Sequence, residues 1–295
     1  MSWRATTGRA LYSLPEGVRR ALPEGVRDAV RRRVGPFAPW EDGFDHRPPP
    51  PGPSERAAAP DFVGIGAQKA GTTWWDDLID AHPDVYRRPG VHKERHFFGR
   101  FATGAFGERD VTDYHGWFAR PPGTYGGEWT PDYLAQPWAA PLVARAAPEA
   151  RLLVLLRHPV DRFVSGLAHA ERDGTTHGGE VVTDAFGRGL YAAALDPWLR
   201  SFARERVLVL QYERCRDDPA GELARTYRFL GLDDGFRPPG LTQPAGAPSG
   251  PRPALAGDAR ERLVELYRPD VARLSALAPD LDLGLWPGFG PVAGP

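Results

Sequence analysis

A loop near residue 66 holds the first residues that could do chemistry. In GIGAQKAGTTWW (residues 64–75), Gly66 and Gly71 have the spacing of the two glycines of a Walker A loop, G-x-x-x-x-G-K-[ST]. The lysine, however, is Lys69 inside the loop, and Thr72 follows the second glycine. Because glycine lets backbone N–H groups approach an anion closely, the spacing predicts a site for a phosphate-like group. The alternative is a glycine turn that only tightens a strand–helix corner.

A second pair of residues bears on which anion is bound. Enzymes that use ATP or GTP hold Mg²⁺, commonly through an Asp at the end of an apolar strand. Here the apolar run LLVLL ends in Arg157, and a cation binds an anion directly while repelling Mg²⁺. Ser165 follows eight residues later on a predicted helix, so the two residues could converge on a second phosphate. The alternatives are a salt-bridged surface arginine with an unrelated serine, a P-loop kinase or NTPase, and a non-catalytic nucleotide-binding protein.

Composition limits the other classes of function. The 295 residues carry a net charge of -1, so no global field would hold nucleic acid or an anionic membrane. Cys215 is the one cysteine, no apolar run approaches the roughly 20 residues of a membrane span, and no secretory signal is evident. We therefore expect a soluble, cytoplasmic protein. Of its 37 basic residues only Lys69 and Lys93 are lysines, and both fall inside motifs.

The sequence pattern around these residues predicts an α/β fold. DFVGIG, RLLVLLRHP and RVLVLQYE are short apolar runs typical of buried parallel strands. Helices are predicted after each, in TTWWDDLIDAHP, VDRFVSGLAHAER and DPAGELARTYRFLGL, with late helices in residues 258–277. Alternating strands and helices imply a parallel sheet with crossover connections.

The first 60 residues are predicted to be an accessory region. Two near-repeats, LPEGVRRA and LPEGVRDA, span residues 14–29, and a proline-rich linker, RPPPPGPSERAAAP, spans residues 47–60. Arginines within residues 1–35 offer weak contact with a membrane or a partner, although such a charge run is more often a solvated face. The predicted division is therefore residues 1–60 and residues 61–295.

Across residues 61–285 the chain resembles the sulfotransferases that use 3′-phosphoadenosine 5′-phosphosulfate (PAPS). The resemblance rests on GAQKAGTTWW, LLRHPVDRFVSG, KERHFF (residues 93–98) and GEWTPDYL (residues 127–134), in the expected order. It is similar to the branch of heparan sulfate and bacterial carbohydrate enzymes. The resemblance implies a P-loop-like three-layer fold with a central parallel sheet, no metal, and a carbohydrate or a glycosylated or lipidated natural product as the acceptor.

The resemblance also implies roles for single residues. Lys69 would stabilise the leaving group, and Glu94 would be the general base, with His92 and His96 as alternatives. Lys93 would steer the sulfonate or pair with a carboxylate. The residues expected to bind the cofactor are Gln68, Lys69, Ala70, Gly71, Thr72, Thr73, Trp74, Arg157, Ser165 and Arg252.

Substrate contacts are the third implied group. The resemblance places Lys93, His96, Trp129 and Tyr191 near the acceptor. Trp129 stands where the family usually has a lysine, so it either stacks on a ligand or packs. Tyr191 and Trp198 have helical spacing, which is also typical of core aromatics.

Overall fold

A four-stranded parallel sheet forms the centre of the protein. The computed structural model describes residues 46–102, 104–172, 178–242, 255 and 258–290. Within them the strand order is β2-β1-β3-β4, and all three neighbouring pairs are parallel. The carboxyl ends of the strands therefore lie at one edge, where ligands of open α/β sheets bind. The strands are β1 (Phe62–Gly66), β2 (Gly127–Trp129), β3 (Arg151–Leu156) and β4 (Val207–Gln211).

Helices connect the strands and flank the sheet. They are α1 (Thr72–Asp80), α2 (Glu108–Gly116), α3 (Ala139–Ala146), α4 (Pro159–Arg172), α5 (Gly179–Gly187), α6 (Tyr191–Ser201), α7 (Tyr212–Asp217), α8 (Pro219–Leu230) and α9 (Ala259–Leu277). Short 3₁₀ turns include Gly99–Phe101 and Pro131–Ala135. Within the described residues, none of the helices combines the length and the apolar character of a membrane span.

The strands are buried because both faces of the sheet are covered. Every residue of β1 and β4 is buried, as are the last five residues of β3. Each fully buried Val or Leu side chain contributes about 1.5–3 kcal/mol relative to exposure. Apolar runs without alternation are therefore the expected sequences for these positions, and the predicted fold is confirmed.

The proline-rich segment, residues 47–60, packs on the domain that contains the sheet. Arg88 is buried and donates to the carbonyl oxygens of Pro49 at 3.0 Å and Pro50 at 2.8 Å. It also pairs with Glu55 at 3.0 Å and donates to the carbonyl oxygen of Gly116 at 3.2 Å. The sequence predicts a linker here, and in the structure the buried Arg88 connects this segment to the end of α2 at Gly116.

Two further features differ from the predictions. Strand β2 was not predicted, and the late helical region forms one long helix, α9 (Ala259–Leu277), although it contains Pro269. Asp270 on α9 accepts hydrogen bonds from Ala192 N at 2.9 Å and Ala193 N at 3.1 Å, so it caps the first turn of α6. The near-repeats, the arginines of residues 1–35 and Arg252 lie outside the described residues.

Candidate active site

The loop between β1 and α1 is shaped for an anion. Gly71 has φ of 96°, and a Cβ there would lie 2.8 Å from Tyr212 Cδ2, so only glycine fits. Lys69 also has a positive φ, 66°. Because Gly71 has no side chain to cap α1, the first backbone N–H groups of this nine-residue helix are available at the positive end of its dipole.

The loop residues divide by exposure. Gln68 and Lys69 are half-buried and Thr73 is exposed, so their side chains reach the surface beside the loop. Ala70, Thr72 and Trp74 are buried. In this conformation the first three offer side-chain donors to an anion, and Thr72 and Trp74 offer backbone N–H groups, whereas the N–H of Ala70 donates to the carbonyl oxygen of Ala67 at 3.2 Å.

Arg157 joins the second motif to this loop. It follows directly after β3, and its Nη1 donates to the carbonyl oxygen of Lys69 at 3.4 Å. Its guanidinium lies 5.1 Å from the centre of the Tyr212 ring, and the Tyr191 hydroxyl donates to the Arg157 carbonyl oxygen at 2.8 Å. Arg157 Nε is buried and has no hydrogen-bond partner among the described residues. A buried donor without a partner costs free energy, so this geometry favours an anionic ligand.

Ser165, the other predicted phosphate contact, lies on α4, which begins two residues after Arg157. It is half-buried in the second turn of that helix. The helix therefore carries the serine near the same edge of the sheet as the end of β3.

Glu94 has a partner on each carboxylate oxygen. Lys93 Nζ lies 3.0 Å from Oε1, at ion-pair distance but without hydrogen-bond geometry, and His96 Nε2 donates to Oε2 at 3.2 Å. Burial raises the pKa of Glu94, but the His96 hydrogen bond and the Lys93 charge outweigh it and lower that pKa to about 2. Glu94 is therefore ionised, and a weak base while both partners remain in place.

His96 lies between two carboxylates. Its Nδ1 is 3.4 Å from Asp132 Oδ2, while its Nε2 faces Glu94. An ionised carboxylate only accepts hydrogen bonds, so these two neighbours favour the imidazolium form of His96, with a proton on each ring nitrogen. Burial lowers the pKa of His96, but its hydrogen bond with Glu94 and the charge of Asp132 outweigh that effect and raise the pKa above its ordinary value. His92, the other alternative base, is exposed, and its Nδ1 accepts from Glu94 N at 3.1 Å.

Backbone hydrogen bonds fix the Glu94 segment relative to the anion loop. Trp129 N donates to the carbonyl oxygen of Lys93 at 3.0 Å, and Arg95 N donates to Thr130 Oγ1 at 2.8 Å. Thr130 N in turn donates to the carbonyl oxygen of Gly64 in β1 at 2.9 Å. The end of β2 thus links the candidate base to the strand that carries the loop.

Glu128 organises this junction, a role that the sequence analysis missed. It is 1% exposed and accepts hydrogen bonds from Tyr114 Oη at 2.6 Å, Thr130 Oγ1 at 2.5 Å and Arg95 N at 3.2 Å. Burial raises its pKa, although these donors oppose the shift. The available signal was the acidic Glu128 in the motif GEWTPDYL, two residues before Thr130.

The predicted substrate aromatics are packed. Trp129 is 0% exposed, and its Nε1 donates to the carbonyl oxygen of Gly66 at 3.3 Å. A Cβ at Gly64 would lie 2.1 Å from its ring, so the glycine in β1 makes room for this indole. Tyr191 and Trp198 are also 0% exposed. In this conformation Trp129 therefore contacts the end of β1 and Tyr191 the end of β3, and neither side chain is exposed to an acceptor.

Comparisons with known proteins agree with this geometry. A family model described as "Sulfotransferase family" matches residues 100–236. Heparan sulfate glucosamine 3-O-sulfotransferase 6 is 33% identical over 195 residues in Mus musculus and 33% identical over 207 residues in Homo sapiens. These matches include 61% and 63% of this chain but only 54% and 58% of the two relatives. The chain thus spans little more than half the length of either enzyme.

A solved structure matches more completely. The sulfotransferase from Alicyclobacillus acidocaldarius is 30% identical with a TM-score of 0.63, and the match covers 78% of this chain and 99% of that one. Agreement over nearly the whole of that chain, in both sequence and fold, places the protein: it belongs to the sulfotransferase family.

Proposed function

We propose that the protein transfers a sulfuryl group from PAPS to a hydroxyl or amine of a carbohydrate or of a glycosylated or lipidated natural product. The observation that carries the proposal is the hydrogen bond from Arg157 Nη1 to the carbonyl oxygen of Lys69, 3.4 Å long, at the carboxyl edge of the sheet. A cation in this position suits a ligand with two separate anionic groups, since one group can lie at the loop and the other at the arginine.

The residues present fit PAPS. Lys69, Thr73 and the first N–H groups of α1 would hold the 5′-phosphosulfate, together with the rest of the predicted loop contacts. Arg157, whose buried Nε has no hydrogen-bond partner among the described residues, would hold the 3′-phosphate with Ser165. When bound, PAPS supplies the activated sulfuryl group and PAP is the leaving group.

The residues of the chain have distinct tasks in the proposed in-line transfer. A bond forms between sulfur and the acceptor oxygen or nitrogen, and the sulfur–oxygen bond to the 5′-phosphate breaks. The electron pair of the broken bond remains on that phosphate, where Lys69 and the helix N–H groups stabilise the added charge. Glu94 takes the acceptor proton. Each oxygen of Glu94 has one partner and keeps a second lone pair, to which the acceptor would donate.

The carbohydrate part of the proposal is supported by the named relatives, which act on a glucosamine of heparan sulfate. Glu94 lies beside the half-buried polar side chains of Lys93 and His96, which suit an acceptor with hydroxyl donors better than an apolar one. The acceptor would lie against Lys93, Glu94 and His96.

Ligand-dependent melting tests the choice of cofactor. A ligand that binds only the native state raises Tm by linkage, so PAP and PAPS should each raise it without Mg²⁺. ATP with Mg²⁺ should raise it much less, because ATP has no 3′-phosphate for Arg157. Equal stabilisation by ATP that requires Mg²⁺ would favour a kinase or NTPase instead.

A further inference from the structure

The charged groups next to Glu94 form an alternating chain of ion pairs. Arg188, at the end of α5, donates from Nη1 to Asp132 Oδ1 at 2.5 Å and from Nε to Asp184 Oδ2 at 2.8 Å. Asp132 also faces His96, and His96 faces Glu94. The chain runs from the candidate base to the surface, where the Asp184 side chain is 62% exposed.

The charges in this chain balance among the described residues. Lys93, His96 and Arg188 carry three positive charges when His96 is an imidazolium, and Glu94, Asp132 and Asp184 carry three negative charges. Each cation is already paired with a carboxylate. When His96 loses its proton, the net charge becomes negative.

A site with no surplus positive charge is poorly suited to a densely anionic glycan. A chain of uronates and sulfates is bound by a surface with surplus cations, and it is repelled by carboxylates that face it. If an anionic glycan drew Arg188 away from Asp132 and Asp184, those two carboxylates would be left unpaired beside the anion. In addition, the whole chain has a net charge of -1.

We propose that the acceptor site takes an uncharged sugar and discriminates against polyanionic glycans such as heparan sulfate. The inference rests on the proposed function, since it assumes that the acceptor lies against Glu94. Vicinal hydroxyls of a neutral glycoside can donate to Asp132 and Asp184 and accept from Arg188 without separating charges. Asp132, Asp184 and Arg188 are then the residues that determine acceptor charge.

A matched pair of probes tests this proposal. Heparosan octasaccharide has the unsulfated backbone of heparan sulfate with a carboxylate on every second sugar, and its carboxyl-reduced form has the same linkages without charge. PAP-loaded protein is titrated with each by calorimetry at low salt, and the two are offered together at equal concentration with PAPS. We expect the reduced form to be favoured by about tenfold or more, in binding or in product, because screening is weak at low salt.

Two variants locate the cause of the discrimination. Asp184→Asn removes one carboxylate from the chain and should improve heparosan binding by about fivefold, an effect that decreases with added salt. Asp234→Asn is the matched control, because Asp234 is also an exposed carboxylate paired with an arginine, at 2.6 Å from Arg228. It should change heparosan binding less than about twofold, since Asp234 pairs with Arg228 and is not part of the chain of ion pairs at Glu94.

Two results would overturn the proposal: heparosan bound or sulfated as well as its reduced form, or equal gains from the two variants. The second result would mean that total charge, not the chain at Glu94, sets the preference. Failure of the proposed function itself is a separate observation, because PAP and PAPS would then not raise Tm at all.

Discussion

Replacing Arg157 with alanine should reduce affinity for PAP far more than it reduces stability. Inside the protein the guanidinium makes one long hydrogen bond, 3.4 Å to the carbonyl oxygen of Lys69, and its buried Nε has no partner among the described residues. Its other contact is the Tyr212 ring at 5.1 Å, worth about 0.5–1 kcal/mol. The donors of this side chain are thus little used within the protein and remain for a ligand.

The expected magnitude follows from those unused donors. One charge-assisted hydrogen bond to a phosphate is worth about 1.5–3 kcal/mol, which corresponds to a Kd for PAP raised by about tenfold to 150-fold. Calorimetry measures this loss, and Ser165→Ala should show a smaller loss in the same direction because it removes a neutral donor. Adenosine 5′-phosphosulfate lacks the 3′-phosphate, so its affinity for the Arg157→Ala variant should stay within about threefold of the parent.

The matched control is Arg228→Ala, which removes an equal charge from a side chain that is 69% exposed and paired with Asp234. Its PAP affinity should equal that of the parent. The reasoning is refuted if Arg157→Ala binds PAP as tightly as the parent, or if it loses adenosine 5′-phosphosulfate to the same extent as PAP.

The remaining predictions concern the base, its neighbouring histidine and the proline-rich segment. Glu94→Gln should keep near-parental PAP affinity by calorimetry and lose turnover by about 10²–10⁴-fold, whereas Lys69→Ala should lose both; retained activity in Glu94→Gln would assign the base elsewhere. The pKa of His96 is raised by its carboxylates, so its ion pairs stabilise the fold fully below its unfolded pKa and are lost as pH rises through the folded pKa. Asp132→Asn should therefore move the NMR titration of His96 to lower pH, and an unmoved titration would contradict the assigned contact. Arg88→Ala should lower the free energy of unfolding by about 2–4 kcal/mol in urea titrations. The reason is that three carbonyl oxygens and Glu55 lose the buried guanidinium that they contact. A loss below about 0.5 kcal/mol, the level of an ordinary surface change, would contradict a stabilising role for Arg88.

The parts of the fold that could be predicted are those with a local signal. The strands β1, β3 and β4 are uninterrupted apolar runs, and the helices after them begin near glycine or proline. Strand β2 has three residues and includes the acidic Glu128, so no local pattern marks it. Its existence depends on parallel pairing with β1, 65 residues away at Phe62 and Gly127, which sequence periodicity does not report.

The same division holds for the candidate site. The motifs identified Lys69, Glu94, Arg157 and Ser165, with Lys93 and His96 beside Glu94, but not the contacts that His96 makes with Asp132 or Asp132 with Arg188. The contact between His96 and Asp132 joins residues 36 positions apart, and Arg188 reaches Asp132 from 56 positions away. Such pairs depend on how β2 and α5 are brought together, and the packing of Trp129 depends on the space left by Gly64. These are tertiary properties, so the sequence left them open.

The most direct test of the central claim follows the sulfur atom. The protein is incubated without metal, with PAPS labelled at sulfur and a panel of neutral and anionic glycosides, and the products are resolved by mass spectrometry. The account predicts that the label appears on an acceptor in equal amount with PAP, and that Glu94→Gln slows the transfer by about 10²–10⁴-fold while PAP still binds. Label that stays on PAPS in every case, together with Mg²⁺-dependent transfer of phosphate from ATP to the same acceptors, would contradict it.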